Sequence, residues 1–111
     1  MKTFISLFAL ILSLSLTAQS NTATWYYNDS SINGIQSPSN TASGDYSTAL
    51  GDGTTASGSR STAMGSGTVA SGNYSTAMGR ITTASGSVST AMGYYSTASD
   101  FSSLVMGQFN L

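Results

Sequence analysis

Residues 41–110 read TASGDYSTALGDGT (41–54), TASGSRSTAMGSGT (55–68), VASGNYSTAMGRIT (69–82), TASGSVSTAMGYYS (83–96) and TASDFSSLVMGQFN (97–110). These are five consecutive copies of a fourteen-residue unit, each built from two related sevens of the form [ST]-[TV]-A-[SM]-G-x-x. Ala42, Ala49, Ala56, Ala63, Ala70, Ala77, Ala84, Ala91 and Ala98 share one register, and Val105 takes the tenth place. Gly keeps the same period from Gly44 to Gly107, broken only at Asp100. Self-similarity at a short fixed period is the mark of a repeat architecture.

A seven-residue period also suits a coiled coil, but the residues reject one. A Gly in every heptad would cost about 1 kcal/mol each relative to Ala. The a and d positions would hold no paired large apolar residues. Short strands fit instead. Ser47-Thr48-Ala49-Leu50 alternates, Gly51 ends the strand, and Asp52-Gly53 turns the chain. Two strands and two turns make one flattened coil. Stacked coils pair each strand in parallel with its copy one repeat later, about 4.8 Å away. The expected fold is therefore all-β, a parallel β-roll solenoid with fourteen residues per coil and about five coils, a rod ~24 Å long.

Alternation assigns the faces. Between two sheets this close only small side chains fit, so Ala is expected inside and its neighbours outside. One sheet then displays Thr48, Thr62, Thr76 and Thr90 beside Leu50, Met64, Met78, Met92 and Met106. The other displays Thr41, Thr55, Val69, Thr83 and Thr97 beside Ser43, Ser57, Ser71, Ser85 and Ser99. The alternative is Met inside and Ala outside. An exposed apolar stripe marks a binding or assembly surface, and burying one Leu or Met stabilises by ~1.5–3 kcal/mol. The expectation is a marginal monomer that buries its Met face by self-association.

Composition excludes whole classes of chemistry. Only seven of the 111 residues are charged: Lys2, Arg60, Arg80, Asp29, Asp45, Asp52 and Asp100. There is no Glu, His or Cys, while Ser and Thr together make 38 residues. The usual general bases and activated nucleophiles are missing, as are the normal ligands of zinc and haem. No disulfide can staple the fold. Two Arg cannot neutralise a run of phosphates, so nucleic acid is not an expected partner. An enzyme is not expected, and neither is a cofactor or metal.

Lys2 followed by the apolar run at residues 4–16 and by Thr17-Ala18-Gln19-Ser20 has the form of a secretory signal peptide. The run of ~13 residues is shorter than the ~20 of a spanning helix. Cleavage would remove the only Lys and leave two Arg against four Asp, a net charge of −2. The expected organisation is residues 1–20 as signal peptide, 21–40 as N-terminal cap and 41–111 as roll, with no membrane span or lipid anchor in the mature chain. In the cap, Trp25-Tyr26-Tyr27 and Ile32-Asn33-Gly34-Ile35 suggest a strand and a turn, because solenoid ends must be covered. Phe101, Leu104, Val105, Phe109 and Leu111 gather larger apolar residues at the last copy.

The repeat resembles the head domain of trimeric autotransporter adhesins, the YadA-like or haemagglutinin-type fourteen-residue repeat. The residues that carry the resemblance are Ser-Thr-Ala-Met-Gly, as at 61–65, and Thr-Ala-Ser-Gly, as at 55–58. It covers residues 41–110. It implies a left-handed roll, three rolls around one axis, a homotrimer, and surface adhesion from the outer membrane of a Gram-negative bacterium. It places Thr48, Leu50, Thr62, Met64, Thr76, Met78, Thr90, Met92, Leu104 and Met106 toward the trimer axis. Two positions depart from the family pattern. Thr stands where Val is usual, and the Asn often found before the Ser is replaced by Tyr46, Arg60, Tyr74, Val88 or Ser102.

Tyr46, Arg60, Tyr74, Arg80, Tyr94 and Tyr95 fall at the x-x turn positions. Tyr and Arg are enriched at binding hot spots, so these six are candidates for contact with an extracellular protein or surface ligand. The Gly51-x-Gly53-x-x-Ala56 stretch imitates a dinucleotide loop but lacks the surrounding βαβ unit. Adhesion has two rivals. The Thr-x-Ser columns form a regular hydroxyl array suited to ice or a crystalline surface, interrupted by Val69. Open coil ends could also stack the chain into a filament.

Overall fold

The computed structural model describes residues 26–28 and 34–110. The expected leader, and Trp25, Ile32, Asn33 and Leu111, lie outside the described residues. Every regular element described is a strand. Strands β1 (Tyr26–Asn28), β2 (Gly34–Gln36), β4 (Thr48–Asp52), β6 (Thr62–Ser66), β8 (Thr76–Arg80), β10 (Thr90–Tyr94) and β12 (Leu104–Gln108) form one sheet in the order β1-β2-β4-β6-β8-β10-β12. The second sheet has the order β11-β9-β7-β5-β3 and contains β3 (Thr41–Ala42), β5 (Thr55–Ala56), β7 (Val69–Ala70), β9 (Thr83–Ala84) and β11 (Thr97–Ala98).

From β4 onward every ladder is parallel and joins residues fourteen apart. Thr62 pairs with Thr76, Ala63 with Ala77 and Met64 with Met78, and Thr55 pairs with Val69. Each strand thus lies on its own copy, as the repeat requires. The chain is a parallel β-solenoid of about five coils. At the N-terminal end the pattern changes: β2 runs parallel to β4, whereas β1 pairs antiparallel with β2.

The interior is the Ala column. Ala42, Ala49, Ala56, Ala63, Ala70, Ala77, Ala84, Ala91 and Ala98 are all 0% exposed. The reading with Ala inside therefore holds, and the one with Met inside does not. The alternation that turns Ala inward also turns in the residues two positions before it. Ser47, Ser61, Ser75, Ser89, Thr54, Thr68, Thr82 and Ser96 are buried. Thr82 Oγ1 donates to the Met78 carbonyl at 3.3 Å and Ser96 Oγ to the Gly107 carbonyl at 3.0 Å. The hydroxyls of Ser47, Ser61, Ser75, Ser89, Thr54 and Thr68 meet no partner. Each such group costs about 1–3 kcal/mol. The narrow section accepts that cost because Ser and Thr are among the few side chains small enough to fit.

The glycines set how closely the coils approach. A Cβ on Gly72 would stand 2.1 Å from the Gly86 carbonyl oxygen, and one on Gly86 would stand 2.2 Å from that of Asp100. Asp100, the one break in the Gly period, occupies the Gly position of the last described coil.

At the first coil, polar side chains replace the missing rung. Gln36 aligns with Ala49, is buried, and accepts the Ala42 N–H through Oε1 at 2.7 Å. Asn40 accepts the Thr54 N–H through Oδ1 at 2.8 Å and donates to the Gly51 carbonyl at 2.9 Å and to Ser37 Oγ.

Replacing Gly72 by Ala should destabilise far more than replacing Gly53, whose Cβ would meet nothing within 4 Å although its φ is +62°. Chemical denaturation should show a loss of about 1 kcal/mol for Gly53→Ala from the left-handed φ alone. For Gly72→Ala it should show a loss of at least ~3 kcal/mol, or no cooperative transition, because backbone must move.

Candidate functional site

The roll offers two faces and two edges, and each is a continuous column of like residues. The outer face of the first sheet carries the residues expected at the trimer axis. Thr48, Leu50, Thr62, Met64, Thr76, Met78, Thr90 and Met92 are half-buried among the neighbouring rungs. Leu104 and Met106 are 64% and 58% exposed. The apolar column is strictly in register, Leu50 on Met64 on Met78 on Met92 on Met106. Neither column holds a charge, so the face is a ridge of thioethers beside a row of threonines.

The outer face of the second sheet is of another kind. Thr41, Thr55, Val69, Thr83 and Thr97 stack in register. Ser43, Ser57, Ser71, Ser85 and Ser99 beside them are all exposed. This face is uncharged and almost wholly hydroxylated.

The described charged side chains, Asp45, Asp52, Arg60, Arg80 and Asp100, lie at the turn edges. The six candidate surface residues belong to two separate edges. Tyr46, Arg60 and Tyr74 precede the five-residue strands; Arg80 and Tyr94 end them, and Tyr95 follows. On the first edge the Arg60 guanidinium lies 5.3 Å from the Tyr46 ring centroid and 5.5 Å from that of Tyr74, and Nη1 donates to the Tyr74 hydroxyl at 3.2 Å. On the second edge Arg80 sits over Tyr94 at 5.4 Å. Tyr94, Tyr95 and Phe109 form a three-ring cluster with centroids 4.7, 5.4 and 5.6 Å apart. Such cation–π and ring pairs contribute about 0.5–1.5 kcal/mol each.

Both edges are built on left-handed backbone. On the first edge φ is +58° at Tyr46, +55° at Arg60, +58° at Tyr74, +61° at Val88 and +54° at Ser102. On the second it is +62° at Gly53 and Gly67, +54° at Ile81, +52° at Tyr95 and +54° at Phe109. Stacking imposes this geometry. The N–H groups of Arg60, Tyr74, Val88 and Ser102 donate to the carbonyls of Asp45, Ser59, Asn73 and Ser87 at 2.7–2.9 Å. Those of Gly67, Ile81, Tyr95 and Phe109 donate to Asp52, Ser66, Arg80 and Tyr94 at 2.8–3.1 Å. The Ser47 N–H also closes onto the Gly44 carbonyl at 3.1 Å, so Tyr46 is the third residue of a turn that favours Gly or Asn there. A large side chain in this conformation costs about 1–2 kcal/mol, and a β-branched one such as Ile81 or Val88 is an outlier. Tallying the x-x residues by the turn chemistry they violate would have found this signal in the sequence.

The family model described as the YadA head domain repeat (2 copies) matches the chain at residues 38–54, 42–68, 56–80, 70–96 and 84–108. No curated protein and no solved structure matches it.

If stacking alone enforces the left-handed turn, then Val88→Asn, which keeps the N–H and tolerates positive φ, should stabilise the roll by about 1 kcal/mol. A thermal melt followed by circular dichroism should move up by a few degrees.

Proposed function

The chain belongs to the YadA head-domain repeat family, an adhesin repeat rather than an enzyme family, and on that premise we propose that it is the head of a secreted or surface-held adhesin acting as a homotrimer. Three rolls meet through the Thr and Met columns of the first sheet, which turns the hydroxylated second sheet outward for attachment. The observation that carries this reading is the uncharged, in-register column Leu50-Met64-Met78-Met92-Met106 on an outer face above an interior whose only apolar side chains are Ala and Val105. An interior of methyl groups buries little apolar area. The ridge is a continuous apolar strip left part-exposed along the roll, and water is a poor environment for it. Leader, cap and roll divide near residues 20 and 40, the leader directing export.

Light scattering on residues 21–111 should return three times the chain mass. The triple variant with Met64, Met78 and Met92 each replaced by Asp should be monomeric, since three desolvated carboxylates per chain would face one another across the axis. An unchanged trimer would show that the ridge is not the interface.

A second reading has its own support. The Thr columns of the second sheet repeat in register beside five exposed Ser, an array suited to an ordered water or crystal lattice. Under it, micromolar protein should inhibit ice recrystallisation, and Thr55→Lys with Thr83→Lys should abolish the effect. Absence of inhibition by the native protein removes this reading.

A further inference from the structure

The two left-handed columns occupy opposite edges, and their side chains vary in opposite senses along the roll. The first runs Tyr46, Arg60, Tyr74, Val88, Ser102; the second runs Gly53, Gly67, Ile81, Tyr95, Phe109. Successive members of the two columns are seven residues apart, half a coil, which is about 2.4 Å along the axis. Each first-edge residue therefore lies midway in height between two of the second. Arg60 stands level with the gap between two glycines, and Ser102 with the gap between Tyr95 and Phe109. Val88 falls between Ile81 and Tyr95. At the two ends of the roll a bulky edge is matched by a small one, Tyr46 and Arg60 by Gly53 and Gly67, and Tyr95 and Phe109 by Ser102, while large residues stand on both edges at Tyr74 and Ile81.

Nothing within a single roll requires this match, because the five-residue strands hold the edges apart and the side chains do not meet. Strain sharpens the point. The second edge keeps Gly in its first two coils, opposite Tyr46 and Arg60, takes on strained Ile81 in the coil of Tyr74, and carries Tyr95 and Phe109 where the first edge falls to Val88 and Ser102. Tyr46, Tyr74, Val88, Ile81, Tyr95 and Phe109 are all exposed in the lone roll.

We infer that the two edges are the complementary halves of one intermolecular contact, in which the first edge of each roll packs at equal height against the second edge of the next copy. Unlike halves make the contact heterologous, so it must close into a ring to stay finite. The inference rests on the trimer proposed above, whose three flat rolls bring unlike edges together at the corners of a triangle. Both edges carry both signs of charge, Asp45 and Arg60 on the first and Asp52 and Arg80 on the second. The Met ridge supplies apolar area; the edges bias axial register, because a slip of two coils in one sense would press Tyr46 onto Ile81, Arg60 onto Tyr95 and Tyr74 onto Phe109.

The chain has no Cys, which gives a direct test. Val88→Cys with Tyr95→Cys places thiols at opposite ends of β10, some 17 Å or more apart in one roll, beyond the ~7 Å Cα separation that a disulfide spans. Any disulfide between them is intermolecular. After mild oxidation, non-reducing electrophoresis should show covalent trimer that reverts to monomer with reductant, while each single variant stops at dimer or below. Ser102→Cys with Phe109→Cys reads the same contact one coil further on and stands in should the first pair not fold. A trimer by light scattering that yields no covalent trimer with either folded pair overturns the edge contact and leaves the trimer intact. A monomer by light scattering overturns both.

Discussion

Direct stacking of each coil's backbone on the next is the constraint from which the rest of this structure follows. With Gly72 approaching the Gly86 carbonyl so closely that a Cβ would stand 2.1 Å from it, no side chain can separate successive rungs at the turns. Beyond Gln36 and Asn40 at the first coil, the section between the sheets is narrow enough to bury only Ala, Ser and Thr side chains. Two consequences oppose each other. The backbone is well satisfied, since every rung donates to and accepts from its neighbours. The interior is poor in apolar area and holds hydroxyls without partners. The large apolar side chains have nowhere to go but outside, which is why the Met column is a ridge and why self-association is proposed for it.

The same constraint explains the edges. A turn whose N–H must point along the stack adopts positive φ, and every coil repeats the demand twice. Gly53 and Gly67 meet it freely. Tyr46, Arg60, Tyr74, Ile81, Val88, Tyr95 and Phe109 meet it under strain, held by the stack and partly offset by ring and guanidinium contacts. Strain of this kind persists where surrounding structure over-determines the backbone, and it collects at binding surfaces.

Much of the fold was legible in the residues because a fourteen-residue repeat converts sequence register into spatial register. Knowing that Ala49 and Ala63 occupy the same place in successive copies is enough to pair them, and alternation then puts Leu50 and Met64 on the other side. Legibility fades where the repeat does. Gln36 aligns with Ala49 at a thirteen-residue offset, so its role as a polar lid depends on geometry outside the period. Asn40 reads as an ordinary loop residue until its amide is seen bridging Thr54 and Gly51. The six aromatic and basic turn residues look like one group in the sequence, and the roll divides them between opposite edges because a five-residue strand separates the two turns of each coil. The buried hydroxyls follow from the same alternation that buries Ala, but their lack of partners depends on distances that no pattern contains.

The central claim is that an Ala-cored roll with an outward thioether ridge reaches its full stability only in association. Concentration dependence of thermal unfolding tests it most directly, because assembly of folded chains shifts the transition by mass action. Melting residues 21–111 over a thousandfold range of concentration should raise Tm steadily as the protein becomes more concentrated. A Tm that stays constant across that range, with a cooperative transition at every concentration, would contradict the account.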